Sequence, residues 1–146
     1  ALACAKAMGA DETINLASQP EGLAPYAQDK GQFDVMFEAS GSDRALRAGL
    51  DVVVPRGVIV SVGMGPDASL PMTPLVAKEL ELRGTFRFHP EFAVAVQFIN
   101  EGLVDLRPVI SHVVGVQDAV QAFELACDKT KAMKVQIDFG VEPAGI

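Results

Sequence analysis

The sequence predicts an α/β fold, a mostly parallel sheet with helices on both faces, and three observations carry that reading. Apolar runs of strand length alternate with stretches whose apolar residues recur at helical spacing. Clusters of Gly, Pro and Ser separate them. One run, Val58-Ile59-Val60-Ser61-Val62, is almost continuously apolar, the pattern of a strand covered on both faces of a sheet. Each fully buried side chain there contributes roughly 1.5 to 3 kcal/mol.

The elements follow in order. Residues 1 to 8 are strong helix formers closed by Gly9 as a C-cap, and Glu12 to Leu16 reads as a short strand. A weak helical stretch from Glu21 to Lys30 stops at Gly31, and Phe33 to Phe37 is a second strand ended by Ser40, Gly41 and Ser42. From Asp43, Leu46, Leu50, Val53 and Val54 fall at i, i+4, i+7 and i+8, which predicts an amphipathic helix capped by Ser42 and ended by Pro55-Arg56-Gly57. After the strand Val58 to Val62, residues 63 to 74 form a loop, Leu75 to Glu81 a short helix and Leu82 to Phe88 a further strand. Pro90 opens a helix whose buried stripe is Phe92, Ala95, Val96 and Ile99. Val109 to Val114 is a strand, and Val116, Ala119, Val120, Phe123 and Cys127 mark a helix face. Val135, Ile137 and Phe139 alternate with polar residues in a half-exposed last strand, which suits an edge or a different sheet.

The 146 residues are 49% hydrophobic and 21% charged, a composition that fills a core and excludes a disordered or low-complexity chain. A net charge of -7 argues against nucleic acid and anionic membrane surfaces as partners, since both require clustered Lys and Arg. No apolar run approaches the ~20 residues of a bilayer span. Cys4 and Cys127 are far apart with no CxxC, so reduced thiols and a cytoplasmic location are expected. The opening Ala-Leu-Ala-Cys carries no Met and no signal-peptide pattern, and reads as a piece of something longer.

Few motifs carry chemistry. Gly63-Met64-Gly65-Pro66-Asp67-Ala68 satisfies G-x-G-x-x-A after a strand, but Pro66, Pro71 and Pro74 leave no helix N-terminus to hold a pyrophosphate, so it reads as a loop that can still touch a ligand. Glu38-Ala39-Ser40-Gly41 lies at the carboxyl end of a parallel strand, where open α/β sheets bind ligands; the plain alternative is a turn into the next helix. His89 and His112 have no partner at a metal-ligand spacing, and Asp34 with Glu38 shares a strand face without forming an acid/base pair by spacing alone. Arg87, between Phe86 and Phe88, is either an edge residue reaching water or a guanidinium for an oxygen-rich ligand.

Three runs, Phe33 to Gly41, Gly57 to Met64 and Leu75 to Phe88, resemble the coenzyme-binding half of zinc-containing medium-chain alcohol dehydrogenases, the polyol branch above all, and Lys131 to Ile137 is similar to their C-terminus. The resemblance implies a partial Rossmann-type domain over residues 1–107, lacking its first strand-helix-strand. Residues 108–146 would form a C-terminal helix and strand that pack on a catalytic domain absent from the chain. It implies a nicotinamide coenzyme, NAD or NADP, with Ser40, Gly41, Val62, Gly63 and Met64 against ribose and nicotinamide. Phe86, Arg87 and Phe88 would bracket the carboxamide and substrate side, and Lys134 would reach the pyrophosphate. The implied activity is oxidation of a secondary hydroxyl of a small polyol or sugar acid by hydride transfer, with zinc belonging to the full-length enzyme and not held by this chain. No catalytic residue is expected here, and the chain alone is expected to be inactive. A homo-oligomer is expected through an edge strand at about Leu70 to Thr73. The competing reading is a stand-alone α/β binding or regulatory module, although Glu38 stands where a receiver domain wants Asp.

Overall fold

The structure, a computed structural model, describes residues 1–140; the last six positions of the segment 108–146 lie outside the described residues. It divides into two compact units, Ile14–His89, and Ala1–Thr13 together with the chain from Pro90 onward.

In the first unit three strands pair in the order β1-β2-β3, all parallel: β1 (Phe33–Glu38), β2 (Val53–Ser61) and β3 (Glu81–Gly84). Between β1 and β2 runs an α-helix, Asp43–Val52, whose Ser42 hydroxyl accepts from the Ala45 amide at 3.4 Å and whose Arg47 pairs with Asp43 at 2.8 Å. Leu46 and Leu50 of that helix, Val53, Ile59 and Leu80 form the buried core, with Met36, Leu70 and Leu75 packed against it. Met36 alternates with Val35 and Phe37, so Phe33, Val35 and Phe37 occupy the opposite face of β1, where they are exposed.

The helix stops at Val52, four residues before Arg56, and Val53 and Val54 begin β2. Helical spacing alone placed both valines on the helix; ladder pairing overrides it, because Val53 pairs with Phe33 and the Gln32 amide donates to Val52 O at 2.8 Å. Pro55 and Arg56 are absorbed as an irregularity between the pairs Phe33↔Val53 and Val35↔Val58, with Arg56 at φ 64°. Gly31, at φ 111°, lies so close to the Val53 carbonyl that a Cβ would collide.

Other expectations are corrected. Glu12 to Leu16 is not a strand: the Asn15 carbonyl accepts from the Ser18 and Gln19 amides and its side chain from Ala17, so local turns consume the backbone bonds. Residues 24–30 are a kinked 3₁₀ stretch with Asp29 and Lys30 at positive φ. The short helix is Met72–Ala77, shifted toward the N-terminus, so Leu70 to Thr73 is coil and helix, not an edge strand. β3 ends at Gly84, and Thr85 to Phe88 leave the sheet.

The second unit holds a helix at Leu2–Ala7, a helix at Glu91–Asn100, and a parallel pair, β4 (Ile110–Gly115) and β5 (Lys134–Asp138), joined through the helix Ala119–Cys127. The first helix ends as composition predicts: Gly9 takes φ 101°, its amide donates to Lys6 O, and Ala10 N donates to Ala5 O. Ser111 sits at a shift in register and mends it, donating to Lys134 O and accepting from Met133 N, each at 3.0 Å. Val135 and Ile137 are half-buried and alternate with exposed Lys134, Gln136 and Asp138, in a sheet separate from β1-β2-β3. The stripe Phe92, Ala95, Val96 and Ile99 is exposed throughout.

Candidate functional site

The register aligns the carboxyl ends of the first sheet: Glu38 pairs with Ser61 and Ser61 with Gly84. Three loops therefore leave one edge at the same level, those beginning at Ala39, Val62 and Thr85. That edge is where parallel α/β sheets present ligand-binding loops.

Glu38 organises the edge. Its side chain is 4% exposed, and its carboxylate accepts the Ser40 amide at 2.7 Å, the Ser40 hydroxyl, and the Gly41 amide at 3.0 Å. Ser40 Oγ in turn accepts from the Ser42 amide at 3.2 Å. The hydrogen bond from the Ser40 hydroxyl holds the Glu38 carboxyl below its ordinary value of 4.5, helped by the Ser40 and Gly41 amides and opposed by burial. The Glu38 carbonyl accepts from Val62 N at 2.8 Å and Gly63 N at 2.9 Å. The two loops then touch backbone to backbone: a Cβ at Gly41 would meet Met64 O, and a Cβ at Gly63 or Gly65 would strike Gly41. The product is a shelf in which the two loops touch main chain to main chain, and φ 69° at Gly41 is a conformation glycine supplies at no steric cost.

The chemistry of this shelf is selective. Amides of Ser40 and Gly41 that could face an anion are spent on the chain's own carboxylate, so the shelf suits a flat or hydroxylated neutral group. Beside the Asp43–Val52 helix a cleft of about 720 Å³, lined by Leu16, Leu23, Ala27, Ser40, Ser42 and Arg44 among others, opens against the same loop. Of the sequence-predicted site residues only Ser40 lines it.

The structure thus brings Ser40, Gly41, Val62, Gly63 and Met64 together at one edge. Phe86, Arg87 and Phe88 leave that edge from β3, but Arg87 is not within a strand: it has φ 59° and its guanidinium lies 4.8 Å from the centroid of the Phe86 ring. Lys134 belongs to the second unit, exposed at the start of β5. Sequence reasoning treated Glu38 only as a strand-end carboxylate. The signal that finds its role is Ser and Gly two and three positions later, whose donors fold back onto it. Among the described residues no group of three or more His, Cys, Asp or Glu could hold a metal ion, so the residues present do not fit a zinc site. Nor is any helix among them long and apolar enough to cross a membrane.

A family model described as zinc-binding dehydrogenase matches residues 1–101. L-Idonate 5-dehydrogenase (NAD(P)(+)) of Escherichia coli K12 is 41% identical over 139 residues, 94% of this chain and 40% of that protein. The crystal structure of L-idonate 5-dehydrogenase from the same species superposes with a TM-score of 0.87 over 94% of this chain and 40% of that one. Sorbitol dehydrogenase of Rattus norvegicus is 31% identical over 93% of this chain and 39% of its own length. The chain spans about 40% of the length of these relatives.

Proposed function

The chain belongs to the zinc-binding dehydrogenase family, and from that membership we propose that it forms the coenzyme-binding part of an NAD(P)-dependent polyol dehydrogenase similar to L-idonate 5-dehydrogenase. The observation that carries the proposal is the level carboxyl edge of β1, β2 and β3, with the glycine shelf built on it. A bound nicotinamide dinucleotide supplies a hydride acceptor for the substrate's secondary hydroxyl. In this chain Ser40, Gly41, Val62, Gly63 and Met64 give that coenzyme a wall at the strand ends. Phe86 and Phe88 exclude water beside it. Arg87 offers a planar fork of donors to carboxamide or substrate oxygens. Lys134 provides a point charge for the pyrophosphate. Among the described residues no side chains are grouped to hold a metal ion, and no catalytic step is assigned to them.

The same proposal extends to organisation. Residues 1–107 serve the coenzyme domain and the segment from Pro108 onward returns to a catalytic domain. The substrate is a small polyol or sugar acid. The open edge of β3, unpaired on one side in its sheet, supports assembly of the coenzyme domain with a second copy. Free Cys4 and Cys127 suit a cytoplasmic location.

The test is turnover. Full-length protein is expected to reduce NAD or NADP with L-idonate or a related polyol, while the 146-residue chain alone gives none. Full-length protein that fails to bind either coenzyme would sink the proposal.

A further inference from the structure

We infer that Glu38 is a positioning residue that sets the shape of the coenzyme-facing shelf, an inference that rests on the coenzyme reading above. Every donor on its carboxylate comes from the loop that follows β1: the Ser40 amide at 2.7 Å, the Ser40 hydroxyl and the Gly41 amide at 3.0 Å. Its carbonyl holds the loop that follows β2 through Val62 N and Gly63 N, at 2.8 and 2.9 Å. A single residue therefore ties both walls together. Its side chain is 4% exposed, so water cannot replace a lost partner without opening the loop.

Charge matters as much as shape. A carboxylate offers two acceptor oxygens to three donors converging from fixed directions; the amide of glutamine offers one, and turns its own N–H groups toward an amide or hydroxyl donor. Glu38→Gln is nearly isosteric yet leaves buried donors facing donors. The loop at 39–42 then has to move, and the backbone contact of Gly41 with Gly63, Met64 and Gly65 moves with it. The β1-β2 ladder does not depend on that carboxylate, because its pairs are main chain to main chain.

The experiment compares full-length wild type with Glu38→Gln in two measurements. Fluorescence titration with NADH and NADPH is expected to show a coenzyme Kd raised about 10-fold in the variant, the scale of a lost hydrogen bond to a charged group. Hydrogen exchange is expected to speed up at Ser40, Gly41 and Gly63 while amides of β1 and β2 keep their protection. A variant that binds coenzyme like wild type overturns the inference, as does exchange that accelerates evenly across the sheet, which would make Glu38 a general stabiliser. Wild type that binds neither coenzyme overturns the coenzyme reading and the inference with it. Should Glu38→Gln fail to fold, Ser40→Ala removes one donor and keeps the carboxylate; it is expected to give the same confined loosening at smaller amplitude, and no loosening there overturns the inference.

Discussion

Arg87 separates ligand chemistry from folding at the level of one side chain. Its guanidinium stacks on Phe86 and makes no ion pair among the described residues, so its removal costs the fold little. A polar contact to ligand is worth about 0.5 to 3 kcal/mol, so Arg87→Ala should lower kcat/KM of the full-length enzyme by roughly 2-fold to 160-fold at 1.36 kcal/mol per decade. Melting temperature should barely move; a destabilised enzyme with normal kinetics would remove Arg87 from the site. Glu38 has its own signature in acid. Its native pKa lies below the unfolded value, so the unfolded chain binds the extra proton. The resulting stability is complete above the ordinary value of 4.5 and is lost as pH falls through the lower native one. The gap in melting temperature between wild type and Glu38→Gln should therefore narrow as pH falls from the ordinary value of 4.5 through the lower native one. Asp105, brought to about 2 by its hydrogen bond from Arg107, and Asp128, lowered by its bonds from Lys131 and Thr130, titrate alike in both proteins and cancel in the difference. A gap that stays constant in acid would contradict this account.

Among the elements, the helix Asp43–Val52 shows how its end is made without glycine. Lys78, just past the helix Met72–Ala77, donates to Leu50 O at 2.7 Å and Asp51 O at 2.9 Å, carbonyls that the helix leaves open, and to Val53 O at the start of β2 at 3.1 Å. Lys78→Met should destabilise the protein by about 1 to 3 kcal/mol through these orphaned acceptors, and an unchanged denaturant midpoint would show that water serves them equally well. Local signals were legible where the answer is local: the Ser42 cap, Gly9 at positive φ, the alternation in β5 and the parallel strand segments Phe33 to Phe37 and Val58 to Ser61 were readable from residue type and period. Ends set by a distant partner were not. Val53 looks helical until Phe33 pairs with it, and Glu12 to Leu16 looks extended until Asn15 turns the chain. At the candidate site, the place of Ser40, Gly41, Val62, Gly63 and Met64 just past strand ends could be read by position, whereas the carboxylate that joins the two loops could not, because three of its bonds run through loop geometry.

For the molecule as a whole, the two units differ in how the chain supplies them. Ile14–His89 is one continuous stretch, and its strands are joined by short local connections. The other unit is assembled from both ends of the chain: the Cys4 thiol donates to Pro108 O at 3.4 Å across 104 positions of sequence. This discontinuity imposes an order in time. Loops that close over long separations are entropically slow. The six-residue helix Leu2–Ala7 is too short to persist by itself, so it forms only when its distant partners are in place. In refolding followed by pulsed hydrogen exchange, amides of β1, β2 and β3 should gain protection before those of Leu2–Ala7 and β5; simultaneous protection of the first helix would show that it docks without its distant partner. Until that docking, residues Leu2–Ala7 are a tether rather than a structure, and a protease added during refolding would find them an easy point of attack.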